Sequence, residues 1–254
     1  MKRANATILT VITFVTLPIL ASPLAAQALG IERATLAEKN AKTPEVSTEQ
    51  LRQILNEGSA IVLDTRSRAE FDAGHVPGAR NLDAPPDQQV AAVEKLVEGN
   101  KAASLVMYCN GPYCQASRRL GEQLPAVGFT NVRRYQLGIP VWRALGGPTV
   151  VELGGIVRIF DVDKTAVYLD ARTSDDFAKG SLAGAHSVPV EDVMSVKLKK
   201  IPLPEDDFNR RIVLFGSDGT QARKLADLLS KRPWHNVGYF PGSFDALATT
   251  LKGK

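Results

Sequence analysis

"VLDTRSRAEFDAGHVPGARNL" at residues 62–82 and "YLDARTSDDFAKGSLAGAHSV" at residues 168–188 align without a gap at a constant offset of 106 residues. Seven positions are identical: Leu63/Leu169, Asp64/Asp170, Arg66/Arg172, Phe71/Phe177, Gly74/Gly180, Gly78/Gly184 and Ala79/Ala185. Chance identity at about one position in twenty would leave roughly one match, so the chain carries a duplicated unit. Each stretch begins inside a short apolar run, "AIVLD" in the first copy and "AVYLD" in the second, and a second run follows, "SLVMYC" and "RIVLF". Such runs, bounded by polar residues, read as buried parallel strands.

Helical patterns lie between the runs. "STEQLRQILNEG" has Ser47 as N-cap, Gln50 three residues on, Leu51, Ile54 and Leu55 on one face, and Gly58 at the stop. "TQARKLADLLSKRP" places Ala222, Leu225 and Leu229 at helical spacing ahead of Pro233, and "QASRRLGEQL" is its less regular partner. Strands alternating with helices predict an α/β fold of two tandem units, each a mainly parallel sheet flanked by helices. The units are expected at residues 43–148 and 156–252, joined by the Gly/Pro-rich "LGGPTVVELGG" at 145–155. Residues 156–164 lack the capped helix that opens the first copy, and their structure is left open.

The N-terminus is different in kind. Lys2 and Arg3 precede the uncharged run "ILTVITFVTLPIL", which leads to an Ala-x-Ala site at Ala26-Gln27-Ala28. This is the pattern of a secretory signal peptide over residues 1–28, and the apolar core is too short, and too broken by Pro18 and Pro23, for an uncleaved span. Cleavage would remove Lys2 and Arg3 and no acid, lowering the formal net charge from +4 to +2. The remaining charge, with no basic run interleaved with aromatics, argues against a nucleic-acid partner. Export from a bacterial cell implies a periplasmic or secreted location and no stable membrane span after cleavage.

The chain has two cysteines, Cys109 and Cys114, and both lie in "YCNGPYCQASRR" at 108–119. A disulfide-built scaffold would carry many more, so two thiols in one loop between a strand and a helix suggest chemistry. At the repeat's offset, Gln115 and Ala116 fall on Gln221 and Ala222, while Cys109 and Cys114 face Phe215 and Thr220.

"LDTRSRAEFDAGHVPGARNL" resembles the first signature of the rhodanese family, with Asp-x-Arg, Glu-Phe, Gly-His-x-Pro-Gly-Ala and Asn at matching spacings. The cysteine that ends a strand, "LGIPVWRALGGP" near the end of the first unit, and the duplication agree with it, over residues from about Thr43 to Leu251. The resemblance implies transfer of sulfane sulfur from a small donor such as thiosulfate or mercaptopyruvate to a thiol or cyanide acceptor, through a persulfide on Cys109. No cofactor and no metal site is implied, and His186 and His235 stand without ligand-like neighbours in sequence.

A sulfur-accepting cysteine reacts as thiolate, and its persulfide is also anionic, so the loop has to stabilise negative charge. Backbone N–H groups of Asn110, Gly111, Tyr113 and Cys114, together with the helix N-terminus, can do so, with Gly111 allowing close approach and Pro112 stiffening the turn. The usual family loop resembles Cys-x-x-Gly-x-Arg, and this chain has Cys114 where arginine is expected, which puts thiosulfate in doubt as donor. The Cys-x-Gly-Pro-x-Cys form also looks like loops in some bacterial rhodanese domains fused to regulators. Cys114 is either a small residue packed at a helix start or a resolving thiol that closes a disulfide with Cys109. Arg118 and Arg119 are either a solvated helix face or a replacement anion grip. Asp64 and Arg66, with Glu70, read as a charged network holding the loop, and alternatively as direct support for the anion. His75 reads as structural, and Trp142 as core or as a cover for the pocket mouth.

In the second copy Phe215 would stand in place of the nucleophile, Asp218 would repel an anion, and Ser217 or Thr220 would cap the next helix. That unit is therefore expected to be inactive. A non-catalytic reading competes with transfer: a redox-sensing or partner-binding module built on the Cys109–Cys114 pair, with a periplasmic redox partner. A phosphatase or arsenate reductase needs a loop of the form Cys-x-five-Arg, and position 115 is Gln.

Overall fold

The structure, a computed structural model, describes residues 30–194 and 203–252. The segment expected to be a signal peptide, residues 1–28, lies outside the described residues.

The first unit runs α1 (Thr48–Glu57), β1 (Ile61–Asp64), α2 (Arg68–Ala73), β2 (Arg80–Asn81), α3 (Gln89–Leu96), β3 (Leu105–Tyr108), α4 (Gln115–Ala126), β4 (Val132–Tyr135) and α5 (Gly138–Ala144). The second runs β5 (Thr149–Val150), α6 (Leu153–Val162), β6 (Val167–Asp170), α7 (Ser174–Lys179), β7 (His186–Ser187), α8 (Val190–Met194), β8 (Ile212–Phe215), α9 (Gly219–Leu229), β9 (Val237–Tyr239) and α10 (Phe244–Leu251). Their sheets have the orders β2-β1-β3-β4 and β5-β9-β8-β6-β7, with every pairing parallel. Beside β4, Glu45 bridges Arg134 in parallel, at the place β5 takes beside β9.

The central strands β1, β3, β6 and β8 are largely apolar because helices cover both faces. Along β3, Val106 and Tyr108 join Leu51, Ile54 and Trp142 on one side, while Leu105 and Met107 join Val93, Leu120 and Leu124 on the other. This is the two-residue alternation of a pleated strand. Helix α1 starts with the expected reciprocal cap between Ser47 and Gln50 and stops at Gly58 in the left-handed region, φ +62°.

Two sequence expectations change. The stretch 145–155 is no simple linker: Thr149 and Val150 form the edge strand of the second sheet, and α6 follows at once. Glu152 at its N-cap makes no side-chain hydrogen bond, so this helix lacks the signal that announced α1 and depends on its buried Ile156 and Ile159.

The second change is one of register. Asp64 pairs with Tyr108, and Asp170 pairs with Phe215, so Phe215 is the counterpart of Tyr108 and Gly216 stands where Cys109 does. The buried faces of the following helices, Ser117/Leu120/Gly121/Leu124 and Ala222/Leu225/Ala226/Leu229, match at a smaller offset than the strands. The loop in the second copy is shorter, and a single ungapped offset set Phe215 against Cys109 by ignoring that deletion.

The units meet along α2 and α6. His75 and Val150 exchange two backbone hydrogen bonds of 3.0 and 2.9 Å, Glu152 N–H donates to Asp72 O at 2.9 Å, and Arg211 donates to Ala73 O at 3.2 Å. Gly155 lies so close to the Asp72 backbone that any Cβ there would overlap it.

Candidate active site

Tyr108 ends β3 opposite Asp64, so Cys109 leaves the sheet at the carboxyl edge of its strands, where open α/β folds place their ligands. The chain then turns through Gly111, whose φ of +114° suits glycine alone. Cys114 N–H donates to Gly111 O at 3.1 Å, and α4 begins at Gln115 with Cys114 as its N-cap. The thiols of Cys109 and Cys114 are joined in a disulfide, with Cα atoms 6.1 Å apart. Cys109 is 3% exposed, Cys114 is half-buried, and Tyr113 between them is 92% exposed.

Three elements hold the loop. Ile139 N–H, in the first turn of α5, donates to Cys109 O at 3.1 Å. Thr65 binds Tyr108 O through both its N–H and its hydroxyl, at 3.1 and 3.0 Å. Asn110 donates to Glu70 at 2.6 Å, and Glu70 also accepts from the Ser67 hydroxyl at 2.7 Å. Burial alone would raise the Glu70 carboxyl, but these donors hold it below its ordinary range.

Asp64 and Arg66 form a buried pair. Arg66 Nε donates to Asp64 at 2.9 Å, and its outer nitrogen bonds both Asp64 and Gly74 O. Tyr108 OH donates to Asp64 at 2.6 Å and accepts from Val76 N–H at 3.0 Å. Burial and the Asp64 charge push the Tyr108 hydroxyl well above its usual range, so it stays protonated as a donor. This arrangement fits the network reading: the pair ties the end of β1 to the turn at Gly74, and Glu70 reaches the loop through Asn110.

Of the other candidates, Arg118 pairs with Glu122 at 3.5 Å on the exposed face of α4. Arg119 has a buried Nε without a partner among the described residues, and neither arginine hydrogen-bonds the loop there. The basic residue that does is Arg134 on β4, which sequence reading passed over. Its guanidinium is buried and donates to Cys114 O at 3.2 Å and to the Ser117 hydroxyl at 3.1 Å. The single clue to it is an arginine pair, Arg133 and Arg134, in a strand of otherwise apolar character.

His75 stacks on Phe71 with ring centroids 3.6 Å apart, donates from Nδ1 to Phe71 O at 3.0 Å, and sits 3.8 Å from Glu152. It is a structural residue of the interface between the units. Trp142 is core, 5% exposed, with its indole N–H bonded to Pro148 O at 2.9 Å. It also borders a cleft of about 760 Å³ between the units, lined further by Arg52, Arg223 and Lys231, which neither cysteine lines.

The second copy repeats the scaffold without the cysteines. Arg172 donates to Asp170 and Gly180 O as Arg66 does to Asp64 and Gly74 O. Phe215 has no hydroxyl, and Ser181 supplies the missing donor to Asp170 at 2.6 Å. In the loop, Ser217 N–H donates to the Gln221 side chain at 2.9 Å. Asp218, in place of the expected Ser217 or Thr220, caps α9 by accepting from Gln221 N–H at 2.9 Å. Its side chain outcompetes its neighbours because its extended backbone points the carboxylate at the helix N-terminus.

Among the described residues, no three His, Cys, Asp or Glu side chains gather as metal ligands, and no helix is long and apolar enough to cross a membrane.

A sequence model of the Rhodanese-like domain matches residues 47–145 and again 159–250, and the chain belongs to that family, with two copies of the domain. The human thiosulfate:glutathione sulfurtransferase is 32% identical over 112 residues, covering 40% of this chain and 95% of its own length. The tRNA uridine(34) hydroxylase of Photorhabdus laumondii is 30% identical over 103 residues, and the match spans 39% of this chain but 28% of the hydroxylase. Among solved structures, a thiosulfate sulfurtransferase from Pseudomonas aeruginosa matches at 19% identity and a TM-score of 0.36, covering 81% of this chain and 42% of that one.

Proposed function

We propose that this chain is an exported sulfurtransferase with one working site, at Cys109. The observation that carries the reading is the position of Cys109: at the carboxyl edge of a parallel sheet, in a glycine-containing loop that runs into the N-terminus of a twelve-residue helix. Family membership and the human relative that acts on thiosulfate and glutathione support it.

With the disulfide reduced, the Cys109 thiolate attacks the outer sulfur of thiosulfate, the sulfur–sulfur bond of the donor breaks, and sulfite leaves with the electron pair. An acceptor thiolate or cyanide then attacks the outer sulfur of the persulfide and releases the Cys109 thiolate. With mercaptopyruvate the Cys109 thiolate attacks its sulfur, the carbon–sulfur bond breaks, and pyruvate leaves as its enolate and takes up a proton. The second copy has Gly216 at the nucleophile's position and spends a loop amide on Gln221, which supports a non-catalytic role. Export rests on the N-terminal sequence and places the reaction in the periplasm or outside the cell.

The disulfide favours a second reading, a thiol redox module that uses the Cys109–Cys114 pair without transferring sulfur. Intact-mass measurement separates the two. Reduced protein exposed to thiosulfate or mercaptopyruvate should gain one sulfur atom, retain that gain in Cys114→Ser and lose it in Cys109→Ser. Absence of any gain, with ready loss of two hydrogens on oxidation, would leave the redox reading in its place.

A further inference from the structure

The two sulfurs of the disulfide are not equally reachable. Cys109 is 3% exposed, follows the fully buried Tyr108, and has its carbonyl held by Ile139 and its flank closed by Gly138. Cys114 is half-buried at the head of α4, between the exposed Tyr113 and the exposed Gln115. Thiol–disulfide exchange is an in-line displacement, so a nucleophile must approach the attacked sulfur from the side opposite its partner. Cys114, the more exposed of the two residues, offers room for that approach, whereas Cys109, almost wholly buried, offers little.

We propose that the oxidised loop is reopened by a protein dithiol that attacks Cys114, with the exposed Tyr113 ring as its contact beside the bond. The proposal rests on the reading of Cys109 as the working thiol, since it makes Cys109 the leaving group and so regenerates it directly. The partner's thiolate forms a bond to Cys114 Sγ, the Cys109–Cys114 bond breaks, and the electron pair leaves on Cys109 as its thiolate. The partner's second thiolate then attacks its own sulfur in the mixed disulfide, and Cys114 departs as a thiolate that takes up a proton. The partner dithiol is oxidised by two electrons to a disulfide, and the loop is reduced to two thiols. Arg134, which holds Cys114 O, keeps the head of α4 in place through both steps. A surface aromatic beside a reducible bond suits a macromolecular reductant, which gains contact area there that a small thiol does not.

The test uses the full chain in its oxidised form, exposed briefly to glutathione and quenched with acid and N-ethylmaleimide. Peptide mapping should find glutathione on Cys114 and maleimide on Cys109, with at least a tenfold preference. Glutathione on Cys109, equal labelling, or failure of the oxidised chain to hold a Cys109–Cys114 bond would overturn the proposal. In a second arm, Tyr113→Ala should lower the ratio of the reduction rate with thioredoxin to that with dithiothreitol several-fold, and an unchanged ratio removes the docking role of Tyr113. Sulfur uptake by Cys114→Ser, read in parallel, reports on the transferase reading separately. Its loss with glutathione still on Cys114 sinks that reading alone, and its presence with glutathione on Cys109 sinks this one alone.

Discussion

Gly138 lies against the Cys109 loop so closely that a Cβ there would overlap both the carbonyl of Cys109 and the amide nitrogen of Gly111. Its φ of +65° also belongs to glycine. The first turn of α5 is thus a wall of the loop, and "LGIPVWRALGGP" has a physical role that its sequence alone does not display. Gly138→Ala should cost roughly 2 kcal/mol or more, from left-handed strain plus overlap, and displace the loop. Urea denaturation should show a lower midpoint, and sulfur uptake on Cys109 should fall at least tenfold in the fraction that remains folded.

Tyr108→Phe removes a hydroxyl that serves Asp64 and Val76 N–H together. Leaving a buried carboxylate short of a donor and an amide unpaired should destabilise the chain by about 2 kcal/mol. The second copy already has Phe215 there and restores the bond through Ser181, so Ser181→Ala should be costly in its turn, while Phe215→Ala should act only through lost packing. Thermal unfolding of the variants checks all three.

His75 gives stability a pH dependence of known sign. Burial lowers its pKa from 6.5 to about 4, against the smaller upward pull of the Phe71 carbonyl and of Asp64. The unfolded chain therefore binds this proton first. The stability contributed by neutral His75 is complete above about pH 6.5 and is lost as the pH falls towards 4, by roughly 3 kcal/mol at most. The slope of unfolding free energy against pH over that window should be smaller in His75→Gln by up to one proton. Parallel slopes in the two proteins would show that the imidazole titrates normally.

Arg134→Met keeps an unbranched apolar stem in a buried position and deletes both hydrogen bonds to the head of α4. Cys114 O and the Ser117 hydroxyl would be left without this donor, and hydrogen exchange should accelerate in the first turn of α4 more than in β3. Equal acceleration in both would mean that Arg134 supports the unit as a whole.

The repeat and the apolar runs made the two-unit α/β architecture legible, because parallel strands covered on both faces leave a plain apolar signature. The start of α1 was legible too, since Ser47 and Gln50 carry its cap. Helix α6 was hidden because Glu152 offers no such cap and its first buried isoleucine, Ile156, follows two glycines. Cys109 could be found from its place after an apolar run, and its bond to Cys114 was an open alternative in sequence. The replacement of Phe215 by Gly216 as its counterpart, the cap at Asp218 and the grip of Arg134 could not be found, because each depends on a loop-length change or on neighbours distant in sequence.

Helix α2 carries two attachments within three residues. Glu70 holds Asn110 beside Cys109, and the Asp72 carbonyl receives Glu152 N–H from the second unit. The second unit has Gly216 at the position of Cys109 and contains no cysteine. Its removal would nevertheless strip the footing from the helix that steadies the Cys109 loop, so a unit without a cysteine is part of the foundation on which the cysteine pair of the other stands.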